Sequence, residues 1–427
     1  MSVGTLHAGI VLDEPGKIYR GHRDPVLGHI RLWYTPGKQD ASTELFGLLQ
    51  VFVTLHGRAK TKVWKPDDHT YRGRARLFSR TVLIYNKPFR TQPIDASTFP
   101  FSVNFPEFTD DARVDEFCED SRFTDYRNHP LPPSFHDDYF RYSANGFEAF
   151  VEYRIGVNVV MPQLQLRVKK PNKYQEPVVG YEPAGASQPA EGRPFNWRGY
   201  VSVSNELLLP EADRPKGLRQ KTRALFGAGN FPTHAFDWIC LAPTDLYFGQ
   251  PIRVELQIKP REEQCTAILV PEIRLRHFTI KLNGRTLARS HMTTVGCVLA
   301  SRYYGPRKMR GVIDDRGPFS KASDNTKIIT TRALGENFVA SIPSFSTYNI
   351  AVNYTVEIKF GFELAGKKQK FQRAYPVTVH PPLEMPPSRA PAEDRPSSQV
   401  SDTGNMAFDL PRYEDLPPYE EKLISDK

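Results

Sequence analysis

Apolar and polar residues alternate along much of this chain. The alternation is longest at residues 354–364 (YTVEIKFGFEL), and it recurs at 151–159, 252–258 and 278–282. A period of two puts one face of a strand on a core and the other in water, as in antiparallel sandwiches. Helical periodicity is scarce, and its best candidate, residues 110–125, is short, acidic and weakly amphipathic. The pattern therefore predicts an all-β fold.

Two segments interrupt the strand pattern. Residues 171–194 are rich in Pro, Gly and Ala and poor in strand formers, which predicts a linker or a long surface loop. From residue 381 onward, low hydrophobicity with Pro, Ser and charge predicts a disordered tail. Because 427 residues exceed what one core usually serves, we predict two β-sandwich domains, at 1–170 and 195–380, followed by a tail at 381–427.

The four cysteines, Cys118, Cys240, Cys265 and Cys297, include no C-x-x-C pair. They suit a reducing compartment better than a disulfide framework or a zinc site. The N-terminus lacks the pattern of a secretory signal, and no apolar run approaches the ~18 residues of a membrane span. These features predict a cytoplasmic protein that is recruited to membranes only peripherally.

Motifs for catalysis or cofactor binding are not apparent. Residues 226–230 (FGAGN) lack both a dinucleotide fingerprint and a P-loop, and no nucleophile elbow is present. His136, Asp137 and Asp138 are consecutive, so on a strand they point to alternating faces rather than to one metal ion. We predict no enzyme activity, no cofactor and no metal site.

Charge is unevenly distributed. The net charge is +9, but residues 381–427 contain five basic and ten acidic side chains, so the tail carries −5 and the body +14. A basic body attracts anionic partners. Nucleic acid is not predicted, because no RNP, KH or zinc-finger pattern accompanies the charge.

One basic stretch at residues 214–223 is a candidate contact for anionic lipid or for an acidic segment of a membrane protein. A solvated loop is the alternative interpretation. Arg72, Arg74, Arg76 and Arg80 lie upstream and could extend this surface, and residues 302–310 (RYYGPRKMR) are a similar basic stretch. The candidate contact residues are Lys216, Arg219, Lys221 and Arg223.

The tail contains two Leu-Pro-x-Tyr elements, Leu410-Pro411-Arg412-Tyr413 and Leu416-Pro417-Pro418-Tyr419. Proline favours polyproline II, which presents Pro and Tyr to an aromatic groove such as that of a WW domain. In the second element, Pro417 and Pro418 fill the groove and Tyr419 enters the next pocket. Leu416 adds apolar contact, and Glu420 can meet basic residues of the domain.

The first element, with one proline, is expected to bind more weakly. Tyr413 and Tyr419 are six positions apart, which at ~3.1 Å per residue spans about 19 Å. That is close to the width of one small domain, so we predict that one WW domain binds at a time.

Several motifs of the first half resemble the arrestin family, in particular its α-arrestins. They are the opening strands at 19–33 (YRGHRDPVLGHIRLW), the Gly-x-Ala-x-Thr segment in 51–64 (VFVTLHGRAKTKVW), the strand at 99–107 (FPFSVNFPE), and LPPSF at 131–135 followed by FVEYRIGVNV at 150–159. In the second half, residues 240–258 and the PSFxxxNI segment of 342–360 resemble the opening and closing strands of the C-terminal arrestin domain. The segment 105–136 is longer than the family pattern, and 214–223 matches no family landmark.

The resemblance implies two consecutive arrestin-like antiparallel β-sandwiches in a non-enzymatic adaptor. Such a protein binds membrane transporters or receptors and recruits a HECT-type ubiquitin ligase, whose WW domains hold the tail elements. Ubiquitylation of the cargo then promotes its endocytosis from the plasma membrane. Two alternatives stay open: an arrestin-like scaffold for a membrane sensor of the ambient-pH type, and a retromer-type sorting coat subunit.

Overall fold

The structure is a computed structural model, and it consists almost entirely of β-strands. It describes residues 4–37, 45–65, 69–91, 96–110, 120–124, 128–139, 146–162, 167–169, 176–185, 192–217, 231–267, 271–290, 298–309, 312–313, 318–319, 325–334 and 342–383. All of them lie in one compact unit, Met1–Glu384. Its only described helical elements are three single 3-10 turns, Glu206–Leu208, Glu211–Asp213 and Glu262–Gln264.

The first half of the chain forms two sheets. Its strands are β1 (Thr5–Leu12), β2 (Ile18–Arg20), β3 (Val26–Thr35), β4 (Phe46–Trp64), β5 (Thr70–Arg90), β6 (Ser97–Val103), β7 (Phe135–Tyr139), β8 (Gly146–Val160), β9 (Arg167–Lys169) and β10 (Val178–Glu182). Sheet I has the order β6-β3-β1-β9, and sheet II has the order β2-β10-β8-β4-β5, with β7 also paired to β8.

The second half repeats this arrangement. Its strands are β11 (Phe195–Ser204), β12 (Thr233–Ala242), β13 (Asp245–Tyr247), β14 (Pro251–Pro260), β15 (Ile273–Ser290), β16 (Val298–Met309), β17 (Val312–Ile313), β18 (Thr326–Ala333), β19 (Phe345–Ser346), β20 (Ile350–Leu364) and β21 (Lys367–His380). Sheet III has the order β11-β12-β14-β18-β17. Sheet IV has the order β13-β21-β20-β15-β16, with β19 also paired to β20.

Aromatic side chains join the sheets of each half face to face. In the first half, the ring of Tyr85 in sheet II meets that of Phe99 in sheet I edge-on at 4.7 Å. In the second half, Trp238 of sheet III packs edge-on against Phe360 of sheet IV at 5.0 Å. Edge-to-face pairs at such distances are favourable beyond the apolar area they bury. The all-β sandwich prediction is confirmed, whereas the division into two domains stays a prediction.

The predicted alternating strands are present. β8, β14, β15 and β20 contain the segments 151–159, 252–258, 278–282 and 354–364. The candidate helical segment lies mostly outside the described residues. Of its described parts, Asp110 lies beside β5 and residues 120–124 form a turn.

The segment expected to be a linker differs from its prediction, because it contains β10. This strand pairs with β8 on one side and with β2 on the other. Val179 and Tyr181 are buried, at 1% and 4% exposure, and the ring of Tyr181 lies 4.5 Å from that of Phe105. The Pro and Gly content around β10 indicated a loop, but two alternate apolar side chains suffice to fix a short strand on a core.

Candidate functional site

Most of the predicted binding residues cannot be placed. The WW-domain ligand residues Leu410, Pro411, Tyr413, Leu416, Pro417, Pro418, Tyr419 and Glu420 lie outside the described residues, as do Arg219, Lys221 and Arg223. Lys216 is exposed, three positions beyond the 3-10 turn Glu211–Asp213. Among the residues that the sequence singled out for anion binding, those whose positions the structure describes are therefore mainly the arginines of β5.

Those arginines belong to a larger array on the β4–β5 hairpin. The antiparallel register places Arg58 opposite Arg76, Lys60 opposite Arg74, and Lys62 opposite Arg72. The alternate residues of both strands, among them Ala59 and Ala75, are buried, so the six cations share the outer face of sheet II. We call this set the basic ladder: Arg58, Lys60, Lys62, Arg72, Arg74 and Arg76.

Like charges directly opposite each other on a sheet face destabilise the pairing, because their Cβ atoms lie only about 4.5–5.5 Å apart. The β4 side of the ladder has favourable contacts that offset this repulsion. Lys60 lies over the ring of Phe150 at 5.7 Å, and Lys62 lies over that of Trp64 at 5.4 Å. Arg58 forms an ion pair with the half-buried Glu152 of β8.

Glu152 shows how strongly that end of the ladder is neutralised. Burial alone would raise the pKa of its carboxyl, but hydrogen bonds from Arg154 and Arg58 hold the pKa below its ordinary value. The Nη2 of Arg154 lies 3.1 Å from the second carboxylate oxygen of Glu152. Arg58 is consequently held by its partner, whereas Arg72, Arg74 and Arg76 are exposed.

The β5 side of the ladder is different. Arg72, Arg74 and Arg76 are exposed, and no described carboxylate lies within ion-pair distance of any of them. β5 is also the last strand of sheet II, and within the described part of the chain it pairs only with β4. Three arginines at alternate positions therefore line a strand that has a single strand neighbour within the described part of the chain.

Next to these arginines, the edge of β5 already binds one acidic residue. The backbone N–H of Asp110 donates to the carbonyl of Leu77 at 2.7 Å, and the N–H of Ser79 donates to the Asp110 carboxylate at 2.9 Å. The same carboxylate lies 2.6 Å from Nη1 of Arg80. A single aspartate thus engages both the backbone and an arginine of this strand.

Charged residues from the two halves of the chain meet on the inner side of sheet II. Asp137 of β7, with a side chain only 5% exposed, accepts hydrogen bonds from Nη1 of Arg302 at 2.7 Å and from the hydroxyl of Tyr304 at 2.6 Å. The hydroxyl of Tyr304 also lies 2.5 Å from that of Thr286. Burial and the hydrogen bond to Asp137 raise the pKa of Tyr304 far above its ordinary value.

A second set of contacts extends this polar layer. The hydroxyl of Thr61 donates to the carbonyl of Arg289 at 2.6 Å, and the amide of Asn349 reaches the carbonyl of Ala59 at 3.4 Å. Arg289 is 1% exposed; its Nε donates to the carbonyl of Tyr348, and its guanidinium lies 4.5 Å from the ring centre of Phe123. We call these contacts between the halves the junction: Thr61, Phe123, Asp137, Thr286, Arg289, Arg302, Tyr304, Tyr348 and Asn349.

Two stretches that the sequence singled out separately thus come together. His136 and Asp138 point outward while Asp137 points inward, as strand alternation predicts. Within the basic stretch 302–310, Arg302 turns inward to Asp137 whereas Tyr303 is 67% exposed. Among the described residues, no cluster of three or more His, Cys, Asp or Glu side chains is arranged to hold a metal ion.

The sequence reasoning missed the β4 half of the ladder. Its signal was the pair of alternating runs R-x-K-x-K at 58–62 and R-x-R-x-R at 72–76, separated by a turn. Two such runs joined in a hairpin place their charges on one face.

No helix in the described part of the chain has the length and apolar content to cross a bilayer. Comparisons with models of protein families and with curated proteins found no match for this chain.

Proposed function

We propose that this chain is a non-enzymatic adaptor that brings a WW-domain ubiquitin ligase of the HECT type to transporters or receptors in the plasma membrane. The observation that carries the proposal is the basic ladder. Its β5 arginines face lysines or arginine across the hairpin and have no described carboxylate partner. Such an arrangement costs folding free energy, and an anionic partner offsets that cost.

The tail supplies the second contact. Two Leu-Pro-x-Tyr elements within ten positions, Leu410–Tyr413 and Leu416–Tyr419, have the residues that a WW domain accepts. The order of arrestin-like motifs along an all-β chain supports the same function, since proteins of that family combine a β-sandwich body with ligase-binding tails. No catalytic constellation is needed for it.

The mechanism is proximity. The body binds the anionic element of the cargo, or anionic lipid beside it, while the tail holds the ligase. Holding both raises the effective concentration of cargo lysines at the ligase, without any new contact between the two. Ubiquitylated cargo is then internalised, which places the adaptor in the cytoplasm and at the plasma membrane and endosomes.

The test is a pull-down and a cargo-uptake assay on the same variants. Tyr413→Ala combined with Tyr419→Ala should abolish capture of a ligase with WW domains, and Arg72→Ala/Arg74→Ala/Arg76→Ala should leave that capture unchanged. Both variants should slow cargo internalisation. Unchanged ligase capture by the double-tyrosine variant would contradict the role of the tail. Normal internalisation with both variants would instead favour a sensor scaffold.

A further inference from the structure

We propose that two copies of this chain pair through the outer faces of their sheets II, in a weak dimer that covers the basic ladder of each copy. The self-association is inferred from the charge pattern of that face alone. Its consequence, that the dimer hides the ladder from cargo, rests on the proposed function. The partner is a second copy of the chain because the face carries its own electrostatic complement.

The outer face of sheet II changes sign from one side to the other. One row of side chains crosses β5, β4, β8 and β7 in the order Arg72, Lys62, Glu148 and Asp138, as the registers of the three strand pairs require. Arg72, Lys62 and Asp138 are exposed, and the side chain of Glu148 is 40% exposed. Two positive side chains therefore stand beside two negative ones across four strands.

Each end of this row holds a like-charge pair. Arg72 lies directly opposite Lys62, and Asp138 lies directly opposite Glu148, and both arrangements destabilise strand pairing. Within the described part of the chain, no carboxylate lies within ion-pair distance of Arg72, and the ion-pair partner of Glu148 is His136, at 3.9 Å. A partner that brings negative charge to one end of the row and positive charge to the other offsets both costs.

A second copy supplies both charges when it is related by a two-fold axis that runs parallel to the strands, between β4 and β8. Rotation about that axis lays β5 over β7 of the second copy and β4 over its β8. Arg72 then faces Asp138 of the second copy, and Lys62 faces its Glu148. Because a two-fold interface is isologous, each of these pairs forms twice. Sheets packed face to face lie about 10 Å apart with strand directions within about 30° of each other, which leaves room for a long basic and a shorter acidic side chain to meet.

The two neighbouring rows fit the same axis. Their facing pairs are Arg74 with His136, Lys60 with Phe150, and Arg58 with Glu152. Lys60 already lies over the Phe150 ring of its own chain at 5.7 Å, so a second such contact continues an arrangement that the face uses. Arg58 and Glu152 also pair within one chain, and the dimer joins two of these pairs into one network. No like charges face each other in these pairs while His136 is neutral.

The size of the face limits the strength of the dimer. Four strands about 4.8 Å apart and five residues of about 3.3 Å each cover roughly 20 by 17 Å, or about 340 Å² of projected sheet per copy. Stable complexes bury about 800 Å² per partner. The dimer should therefore be weak and reversible, and sensitive to salt because most of its contacts are charged.

An anionic partner alone satisfies only half of this face. An acidic cargo segment or an anionic bilayer neutralises the ladder, but it repels Glu148 and Asp138 on the neighbouring strands. A second copy compensates both halves at once. Cargo and the second copy therefore compete for the ladder, and cargo binding releases the monomer.

The test is sedimentation velocity of the full-length chain from about 1 to about 200 µM, where weak dimers of small interface area form. Runs at about 50 mM and about 300 mM salt are compared. We expect wild type to form a dimer whose dissociation constant rises at least tenfold at the higher salt, because salt screens the pairs that hold it. The measurement contains neither ligase nor cargo.

Two double variants that keep the net charge of wild type decide whether the pattern is read. Lys62→Glu/Asp138→Lys gives a row of plus, minus, minus, plus, in which every charge faces its own sign across the axis. We expect it to weaken dimer formation at least tenfold. Lys62→Glu/Glu148→Lys is the matched control, since its row of plus, minus, plus, minus still sets opposite signs against each other. It should dimerise within about threefold of wild type.

Three outcomes would overturn the inference. Wild type that stays monomeric at about 200 µM and low salt would show that no such dimer exists. Equal dimer formation by the two double variants would place the interface on another surface. Loss of the dimer in both, with urea midpoints like that of wild type, would show that the two-fold pairing is wrong. Tyr413→Ala/Tyr419→Ala should dimerise as wild type does, so failure of the ligase proposal is distinguishable from failure of this one.

Discussion

Arginines stand in contrasting environments on the two faces of sheet II. On the outer face, Arg74 projects into solvent opposite Lys60. On the inner side, at the junction, Arg289 is 1% exposed and bonds to the carbonyl of Tyr348, and Arg302 pairs with the buried Asp137. The same residue type thus has no described carboxylate partner at one place and is closely bound at the other.

The contrast separates residues that hold the molecule together from residues that can hold a partner. A buried charge must be paired and hydrogen-bonded, because an uncompensated one is strongly destabilising. An exposed charge is screened by water and salt, so its loss costs the fold little. Substitutions in the junction should therefore lower stability, and substitutions on the β5 side of the ladder should affect binding with little change in stability.

The largest effect is expected from Asp137→Ala. It removes the acceptor of both Arg302 and Tyr304, and among the described residues it leaves the buried Tyr304 hydroxyl with Thr286 as its hydrogen-bond partner. Because Arg302 retains partial access to water, we expect a loss of about 3 kcal/mol in the free energy of unfolding, at the lower end of the range for broken buried pairs. Urea denaturation followed by tryptophan fluorescence measures it.

The control is the adjacent residue. Asp138 points outward on the same strand, and only its backbone carbonyl contacts Arg302, at 3.0 Å. Asp138→Ala should change the free energy of unfolding by no more than about 0.5 kcal/mol. Equal losses for the two variants would contradict the assignment of Asp137 as the buried acceptor.

The next largest effect concerns Gly73, which lies between two ladder arginines but faces the junction. A Cβ at this position would lie 2.9 Å from the carbonyl oxygen of Arg289 and 2.5 Å from the hydroxyl of Thr61. The carbonyl of Arg289 belongs to the backbone and cannot move away without distorting its strand. Gly73→Ala should therefore lower the free energy of unfolding by about 2 kcal/mol through overpacking.

The charge of the ladder is unchanged in Gly73→Ala. This variant should therefore keep its affinity for an acidic cargo peptide under conditions in which it remains folded. A large loss of affinity with little loss of stability would show that the two faces of β5 are not separable.

Strand periodicity was enough to predict the all-β fold and the positions of β14 and β20. It did not reveal β10, because Val179 and Tyr181 sit among Pro and Gly that indicate a loop. The junction was beyond sequence reasoning for a different reason: Asp137 meets Arg302 across 165 positions, and only the packing of the two halves brings them together. Only half of the ladder was predicted from the sequence. Its β5 arginines were singled out, but which β4 residues face them depends on the register of the two strands.

A smaller effect is expected where an arginine is paired but half exposed. Hydrogen bonds from the side chain of Arg122 lower the pKa of Asp120 from 3.8 to about 2, although burial acts in the opposite direction. The backbone N–H of Arg122 and the positive charges of Arg122 and Arg289 contribute smaller decreases. Since the folded-state pKa is depressed, this carboxylate stabilises the fold above pH ~4 and loses that contribution as the pH falls toward 2.

We therefore expect Asp120→Asn to lower the free energy of unfolding by about 1 kcal/mol at pH 7, a value that is reduced by the exposure of Arg122. The difference from wild type should disappear as the pH falls from 4 to 2. Urea midpoints across that pH range measure it. Glu272→Gln is the control, because its pair with Arg274 has the same spacing but is 60% and 53% exposed. A pH-independent difference for Asp120→Asn would show that the substitution acts through packing.

The smallest effect on stability, and the most informative one, is expected from Arg74→Ala. This arginine faces Lys60 across the hairpin, and its removal relieves a like-charge pair. The free energy of unfolding should change by less than about 0.5 kcal/mol, with any gain larger at 20 mM salt than at 300 mM, because salt screens the repulsion that is lost.

Arg58→Ala is the matched control on the other strand. It removes a partner of Glu152, so the stability of this variant should fall and not rise. A loss of more than 1 kcal/mol for Arg74→Ala would mean that the outer arginines support the fold as the inner ones do, and the case for the ladder as a binding surface would then fail.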